Sequence, residues 1–261
     1  MDPETVALLR DPLTKEPLEL VRKAGHEFLA NPRSGRRFPV RDGIPVFVES
    51  GDLAGRNRRF RKLYDRVALV YDVQSHIYAF LSGQRLEPLR RAFLAELDFR
   101  PGDRVLEVSV GTAWNLRLLP PAIDFYGLDL SWGMLEKARR NLRRWKRQAR
   151  LFCGEAEHLP FADDSFDVVF QLGGLNFFND REKAIREMVR VAKPGTRLLI
   201  SDESEKQVRR LYPKIPVLGR LWRGGESLGP PLALLPSAVE QTVVRHHGAG
   251  RFYTLTFRKP A

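Results

Sequence analysis

The chain has 261 residues, a formal net charge of +12 and 43% hydrophobic residues, enough to bury one full core with length left for an appended module. No run of about eighteen apolar residues occurs, so no membrane-spanning helix is expected, and the acidic start Met1-Asp2-Pro3-Glu4 lacks the apolar segment of a secretory signal. A single cysteine, Cys153, excludes a disulfide framework and fits a cytoplasmic setting. The positive charge suits an anionic partner, either a membrane surface, nucleic acid or an acidic substrate. It is spread rather than gathered in one tail, so solvated Arg-rich faces are the simpler account.

Residues 1–50 read as a small β-rich module punctuated by Pro3, Pro12, Pro17, Pro32, Pro39 and Pro45, with strand-like pieces near Leu18–Val21, Glu27–Leu29 and Val46–Val48. A unit this small needs a staple or a docking surface to hold together. Residues 51–62, rich in Gly and Arg, suit a linker, and 63–97 look helical, with Leu86, Leu89, Phe93, Leu94 and Leu97 at helical spacing. Residues 51–100 together form a linker and a helical lead-in placed to cover an active site.

From residue 101 the pattern alternates. Strands are expected at Arg104–Val108, Asp124–Leu128, Ala149–Cys153, Phe166–Phe170 and Arg197–Ser201, with helices at Trp114–Leu119, Met134–Arg147 and Arg181–Val191. Two further strands, near Val239–Arg245 and Phe252–Arg258, flank the turn His246-His247-Gly248-Ala249-Gly250. The fold class that follows is α/β: a Rossmann-like, doubly wound seven-stranded sheet, mostly parallel, with an antiparallel C-terminal hairpin. A Pro/Gly-rich stretch at about 206–236 has the character of a lid-like insert.

Acidic and small residues stand at the strand ends in an order that suits a nucleotide-like ligand. Glu107, Val108, Ser109, Gly111 and Ala113 span the turn after the first strand, where small residues let a ligand approach the backbone and a helix N-terminus. Asp129 ends the second strand about twenty residues on, where a carboxylate can accept both hydroxyls of a ribose. Glu155 and Ala156 follow the third strand, and Gln171 follows the fourth. Open α/β sheets bind ligands on this edge.

The phrases Val105-Leu106-Glu107-Val108, Gly127-Leu128-Asp129-Leu130-Ser131-Trp132-Gly133-Met134-Leu135, Gly154-Glu155-Ala156-Glu157-His158-Leu159-Pro160-Phe161, Asp164-Ser165-Phe166-Asp167-Val168-Val169 and Arg190-Val191-Ala192-Lys193-Pro194-Gly195-Thr196 closely resemble class I S-adenosyl-L-methionine (SAM) dependent methyltransferases. The resemblance covers about residues 60–203 and is nearest the branch of ubiquinone/menaquinone and phospholipid N-methyltransferases. It implies SAM as cofactor. Glu107 would hold its methionine amino end, Asp129 the ribose, Leu130 and Met134 the adenosine, Glu155 and Ala156 the adenine, and Gln171 the methionine part. Tyr64 and Tyr71 resemble residues that fold over the cofactor. The family loop carries three glycines, whereas Ser109 and Ala113 replace two of them and only Gly111 remains. A Cβ at position 109 costs on the order of 1 kcal/mol if φ there is positive, while Ala113 is read as the tolerant start of a helix.

The module's Arg10-Asp11-Pro12-Leu13-Thr14 and Asn31-Pro32-Arg33-Ser34 segments, with Phe38-Pro39-Val40-Arg41-Asp42-Gly43-Ile44-Pro45-Val46, resemble a short zinc ribbon whose members include tRNA-methyltransferase activator subunits. Its cysteine pairs would fall at Asp11/Thr14 and Asn31/Ser34, so no zinc is expected.

Methyl transfer to a small or lipid-like acceptor (a quinone, a phospholipid or a related metabolite) is the reading these features favour. RNA methylation and SAM binding without transfer stand as alternatives; the first lacks an Asn-Pro-Pro-Tyr-type tetrapeptide, since Gln171-Leu172-Gly173-Gly174 holds that place. The partners implied are the small or lipid-like substrate and an anionic membrane surface met peripherally, with nucleic acid a weaker candidate. No catalytic residue is named firmly; His76 and Tyr78 are candidates for acid–base work. Asn176, Phe177 and Phe178 are candidates for a substrate wall, with core packing as the alternative. Cys153 reads as a small core residue, His246 and His247 as an exposed turn. The Arg-rich face of the helix from Met134 and the segment 56–62 are candidates for anion contact.

Overall fold

The computed structural model describes residues 1–23, 25–48, 53, 55–68, 85–211 and 228–261. Tyr71, His76 and Tyr78, and the centre of the 206–236 stretch, lie outside the described residues.

Helix α1 (Pro3–Leu8) begins where Asp2 accepts the Thr5 N–H at 2.8 Å, with Pro3 in the first turn where no N–H is needed. Strands β1 (Glu19–Lys23), β2 (His26–Ala30), β3 (Arg37–Arg41) and β4 (Ile44–Pro45) follow as an antiparallel sheet in sequence order. The strand expected at Val46–Val48 is displaced: β4 covers Ile44–Pro45, and Val46, whose N–H still reaches Pro39 O at 2.9 Å, also bridges Cys153 of the large sheet. Strand β3 escapes the alternation pattern because Pro39 and two arginines interrupt it.

At the four places where zinc ligands would stand, the chain builds a hydrogen-bonded cross-link. Asp11 is fully buried and accepts the Leu13 N–H at 3.0 Å, the Thr14 N–H at 3.4 Å and the Asn31 amide at 3.0 Å, and pairs with Arg36 at 2.5 Å. Asn31 accepts the N–H groups of Arg33 and Ser34 at 2.9 and 3.1 Å. In each of the two turns a pair of backbone amides converges on one side-chain oxygen, of the Asp11 carboxylate or of the Asn31 amide.

Helix α2 (Gly55–Val67) starts inside the stretch read as a linker. Its apolar residues are few, but Phe60 and Tyr64 fall one turn apart on the buried side, which is enough to seat it. Helix α3 (Leu86–Leu94) buries Leu89, Phe93 and Leu94 as its spacing requires.

The main sheet contains β5 (Arg104–Val108), β6 (Asp124–Asp129), β7 (Arg150–Cys153), β8 (Val168–Leu172), β9 (Arg197–Glu203), β10 (Glu240–His247) and β11 (Phe252–Arg258). Their order is β10-β11-β9-β8-β5-β6-β7, parallel from β7 to β9 and antiparallel through β11 and β10. Helices α4 (Trp132–Trp145), α5 (Arg181–Val191) and α6 (Glu205–Leu211) complete the described set. Strand β8 begins two residues later than expected, because Phe166 is held outside the ladder in a bridge to Ala192. The helix expected at Trp114–Leu119 is a 3-10 segment over Trp114–Leu118. His246 and His247 are strand residues, not a turn: β10 runs through them, and the His247 ring packs edge-on against Phe93 with Nε2 3.1 Å from Glu96.

The module shares its core with the large sheet. Leu9, Leu18, Leu29, Phe38 and Phe47 pack into the cluster that holds Phe152, Phe161 and Phe166. Main-chain bonds join the two as well: Phe47 N–H to Cys153 O at 2.8 Å, Arg10 N–H to Pro160 O at 3.0 Å and Ala162 N–H to Leu8 O at 2.8 Å. Lys15 Nζ adds a bond to Leu159 O at 3.2 Å and an ion pair to Glu187 at 2.6 Å. These contacts grip both ends of the loop from Cys153 to Ala162.

Candidate cofactor site at the strand ends

The turn after β5 takes up three left-handed residues, Ser109 (φ 61°), Gly111 (φ 55°) and Ala113 (φ 59°). These are the places of the family's three glycines. Ala113 is therefore no tolerant helix start: like Ser109 it carries a Cβ in a conformation that costs about 1–2 kcal/mol. The turn is tied to β6 by Val110 N–H to Leu128 O at 3.0 Å and Gly111 N–H to Asp129 Oδ2 at 2.7 Å. It also fixes Gly127, where a Cβ would meet the Val110 side chain at 2.8 Å.

Glu107 is completely buried on β5. Its Oε1 accepts the Asn115 amide at 2.5 Å, and Asn115 in turn accepts from Arg90 at 3.0 Å. Its Oε2 has no partner among the described residues. Burial pushes its carboxyl up to about 8, against which the Asn115 bond and Arg90 work only in part. Val108 is buried beside it.

Asp129 also receives Ser131 N–H on Oδ1 at 2.9 Å. Burial raises it to about 6 in spite of its backbone bonds, and Asp65 nearby adds to the rise. Leu130 is half-buried next to it, and Met134 is buried in the first turn of α4. Asp65, from α2, accepts Ser131 Oγ–H at 2.6 Å and Gly133 N–H at 3.0 Å, so α2 is pinned to the N-terminus of α4.

Glu155 accepts the Asn57 amide at 2.7 Å, and the same amide reaches Glu157 at 3.1 Å. Burial pushes Glu155 up, but bonds from His158 and Asn57 outweigh it and leave the carboxyl below its ordinary value. Ala156 is buried at the start of the 3-10 turn that follows.

Gln171 is fully buried at the end of β8, and neither amide atom has a partner among the described residues. A Cβ on Gly174 would lie 3.6 Å from Ser109 Oγ and 3.7 Å from Gln171 Nε2, which places the loop after β8 against the turn after β5. Asn176 is buried with both side-chain atoms unpartnered, while its N–H reaches Asp202 Oδ2 at 3.2 Å. Phe177 stacks 4.2 Å from Phe60 and 6.2 Å from Tyr64, forming an aromatic wall under α2. Phe178 packs instead on the core beneath α5.

Sequence reading took Asn57 only as part of a segment for anion contact, and missed Asp65, which lay in the helical lead-in, and Asp202 and Tyr253. The last two are cross-strand partners at the active edge of β9 and β11. Asp202 is raised well above its ordinary value by burial and by Glu203, and the Tyr253 hydroxyl is buried without a partner. Cys153 is buried, its thiol pushed up to about 12 by desolvation, which makes it unreactive.

The edge thus holds unpartnered buried groups of both kinds: carboxylate and amide oxygens, amide N–H donors and a phenol. Buried polar atoms are normally satisfied, so their concentration here marks a place for a ligand with matching groups. The family described as a methyltransferase domain matches residues 106–200, which contain this edge from Glu107 to Gln171. The chain is 36% identical over 143 residues to the demethylmenaquinone methyltransferase of Renibacterium salmoninarum, covering 54% of this chain and 57% of that one. It is 33% identical over 175 residues to the demethylmenaquinone methyltransferase of Thermotoga maritima, covering 62% of this chain and 73% of that one. Among solved structures, the [4+2]-cyclase SpnF shares the fold, with a TM-score of 0.60 at 17% identity over 85% of this chain and all of that one. The chain belongs to the class I SAM-dependent methyltransferases. Over the first of these relatives it spans little more than half the length. The cofactor of the family is SAM, and the residues fit it: an unpartnered Glu107 oxygen suits a cationic ammonium, Asp129 a diol, and the Gln171 amide a group that both donates and accepts.

Proposed function

We propose that the protein transfers a methyl group from SAM to a quinone-class acceptor in its reduced, hydroxylated form. The observation that carries the proposal is the set of buried, unpartnered polar atoms on Glu107, Gln171, Asn176 and Tyr253 around the left-handed turn. The relatives named for demethylmenaquinone support the acceptor class. When bound, SAM supplies an electrophilic methyl group on a sulfonium.

The chain's own residues hold and orient. Glu107 and Gln171 hold the methionine end, Asp129 the ribose, and Glu155 and Ala156 the adenine, with Leu130 and Met134 packing beside them. Tyr64, Phe60 and Phe177 exclude water from above. Asn176 and Tyr253 present donors to acceptor oxygens. Asp202, cross-strand from Tyr253 and bonded by the Asn176 N–H, is the carboxyl placed to exchange a proton with an acceptor hydroxyl. Positioning of this kind accounts for most of the barrier reduction when the electrophile is already activated. The setting we favour is cytoplasmic; among the described residues no helix is long and apolar enough to cross a membrane.

The test is incubation with methyl-labelled SAM and a reduced demethylated naphthoquinone, followed by mass spectrometry of the quinone. One labelled methyl per ring is expected, with loss in Asp202→Asn and Gln171→Ala. Label retained on SAM under conditions where SAM binds would favour the second reading, a SAM-binding protein without transfer, for which the strained Ser109 and Ala113 speak.

A further inference from the structure

Several arginines of this chain are paired within their own helix or to a neighbouring element, as Arg91 with Glu87, Arg186 with Glu182, Arg209 with Glu205 and Arg104 with Glu4. Helix α2 carries an unpaired set directly above the candidate site. Arg58, Arg59, Lys62 and Arg66 are all exposed, and none has an acidic partner among the described residues. At one hundred degrees per residue they fall on a single arc, with half-buried Leu63 at its margin. The opposite face carries Asn57, which bonds Glu155, and Phe60 and Tyr64, which meet Phe177. Asp65, the one acid of the helix, is engaged with Ser131 and Gly133. One helix therefore has an inner face that roofs the candidate site and an outer face that presents four uncompensated cations.

We propose that the outer face of α2 docks on an anionic lipid bilayer, so that the mouth of the site opens at the membrane surface. The inference rests on the reading that the acceptor is a quinone, an apolar molecule that resides in a bilayer. The chemistry of the face favours a charged plane over a nucleic acid. The cations are spread along a helix about 20 Å long, and the aromatic rings of α2 are turned inward onto Phe177, leaving none on the arc to stack with bases. Each cation brought to an anionic surface adds attraction that salt screens.

The experiment is cosedimentation of the full chain with vesicles, without SAM or acceptor, so that it reads docking alone. Vesicles of phosphatidylcholine with about one third phosphatidylglycerol are compared with pure phosphatidylcholine. The protein is expected to sediment with the anionic vesicles only, and to be released at about 0.5 M salt. Replacing Arg58, Arg59, Lys62 and Arg66 by Gln should lower the partition coefficient by roughly a thousandfold. A control variant removes equal charge from α4 and its C-cap at Arg140, Arg143, Arg144 and Lys146, which are also exposed without an acidic partner among the described residues; it should lose much less. Calorimetry with SAM on both variants establishes that they are folded. Equal binding to neutral vesicles, equal loss in the two variants, or an RNA hairpin bound more tightly than vesicles through the same four residues would each overturn the proposal. Vesicle docking with no methyl transfer to a quinone would leave the docking intact and sink the acceptor reading.

Discussion

Glu107→Gln isolates the most unusual group in the site. The carboxyl stands at about 8 in the folded chain against an ordinary 4.5, because it is fully buried. The folded protein therefore keeps a proton that the unfolded chain gives up between those two values. Its contribution to stability is fully present below about pH 4.5 and is lost as pH rises through 8; at pH 7 about 3 kcal/mol has been lost. Glutamine keeps the Asn115 hydrogen bond and cannot ionise. The variant should therefore show a flatter dependence of Tm on pH between 5 and 8, and at pH 7 should melt about 6–12 °C higher than a Glu107 chain would if nothing else changed. Function moves the other way. A bound ammonium favours the ionised carboxylate, so SAM binding at pH 7 should release about 0.9 proton per site. That is visible as a dependence of binding enthalpy on the ionisation enthalpy of the buffer. Glu107→Gln should abolish the release and weaken binding by about 10- to 150-fold. An unchanged pH slope together with an unchanged buffer dependence would refute the assignment.

Other perturbations test separate parts. Ser109→Gly and Ala113→Gly should each stabilise the empty protein by about 1 kcal/mol in thermal melts, since both relieve a left-handed Cβ; destabilisation by either would show that the turn is not strained there. Asp11→Ala should cost about 3 kcal/mol in denaturant unfolding, because it strands Asn31, Arg36 and two backbone amides in the module; a loss under 1 kcal/mol would mean that the cross-link is incidental. Lys15→Ala removes the module's bond to Leu159 O and its ion pair to Glu187, leaving Arg190 as the cation on both, and a several-fold rise in the SAM dissociation constant is expected by calorimetry; unchanged affinity would show that the module does not position that loop.

The sheet was legible because its strands are apolar runs between turn residues, and Arg104–Val108, Phe252–Arg258 and the helix Arg181–Val191 fell where expected. Patterns set by tertiary packing were not. Helix α2 is so polar that only its inward face, seen against Phe177, explains why it is helical. Phe166 has a strand residue's character but is captured by Ala192. The acidic ends of β5, β6 and β7 were readable because each lies at a fixed offset from its strand. Asn57, Asp65 and Tyr253 reach the edge from far along the chain, and no local spacing announces them. The left-handed backbone at Ala113 was hidden because alanine ordinarily signals a helix.

On this reading the edge formed by Glu107, Asp129, Glu155 and Gln171 binds SAM. Titration calorimetry of the full chain, with Asp129→Ala alongside, tests it most directly. Saturable micromolar binding at one site per chain is expected, with a loss of at least tenfold in the variant. No saturable binding by the folded wild-type chain, or equal affinity in Asp129→Ala, would contradict it.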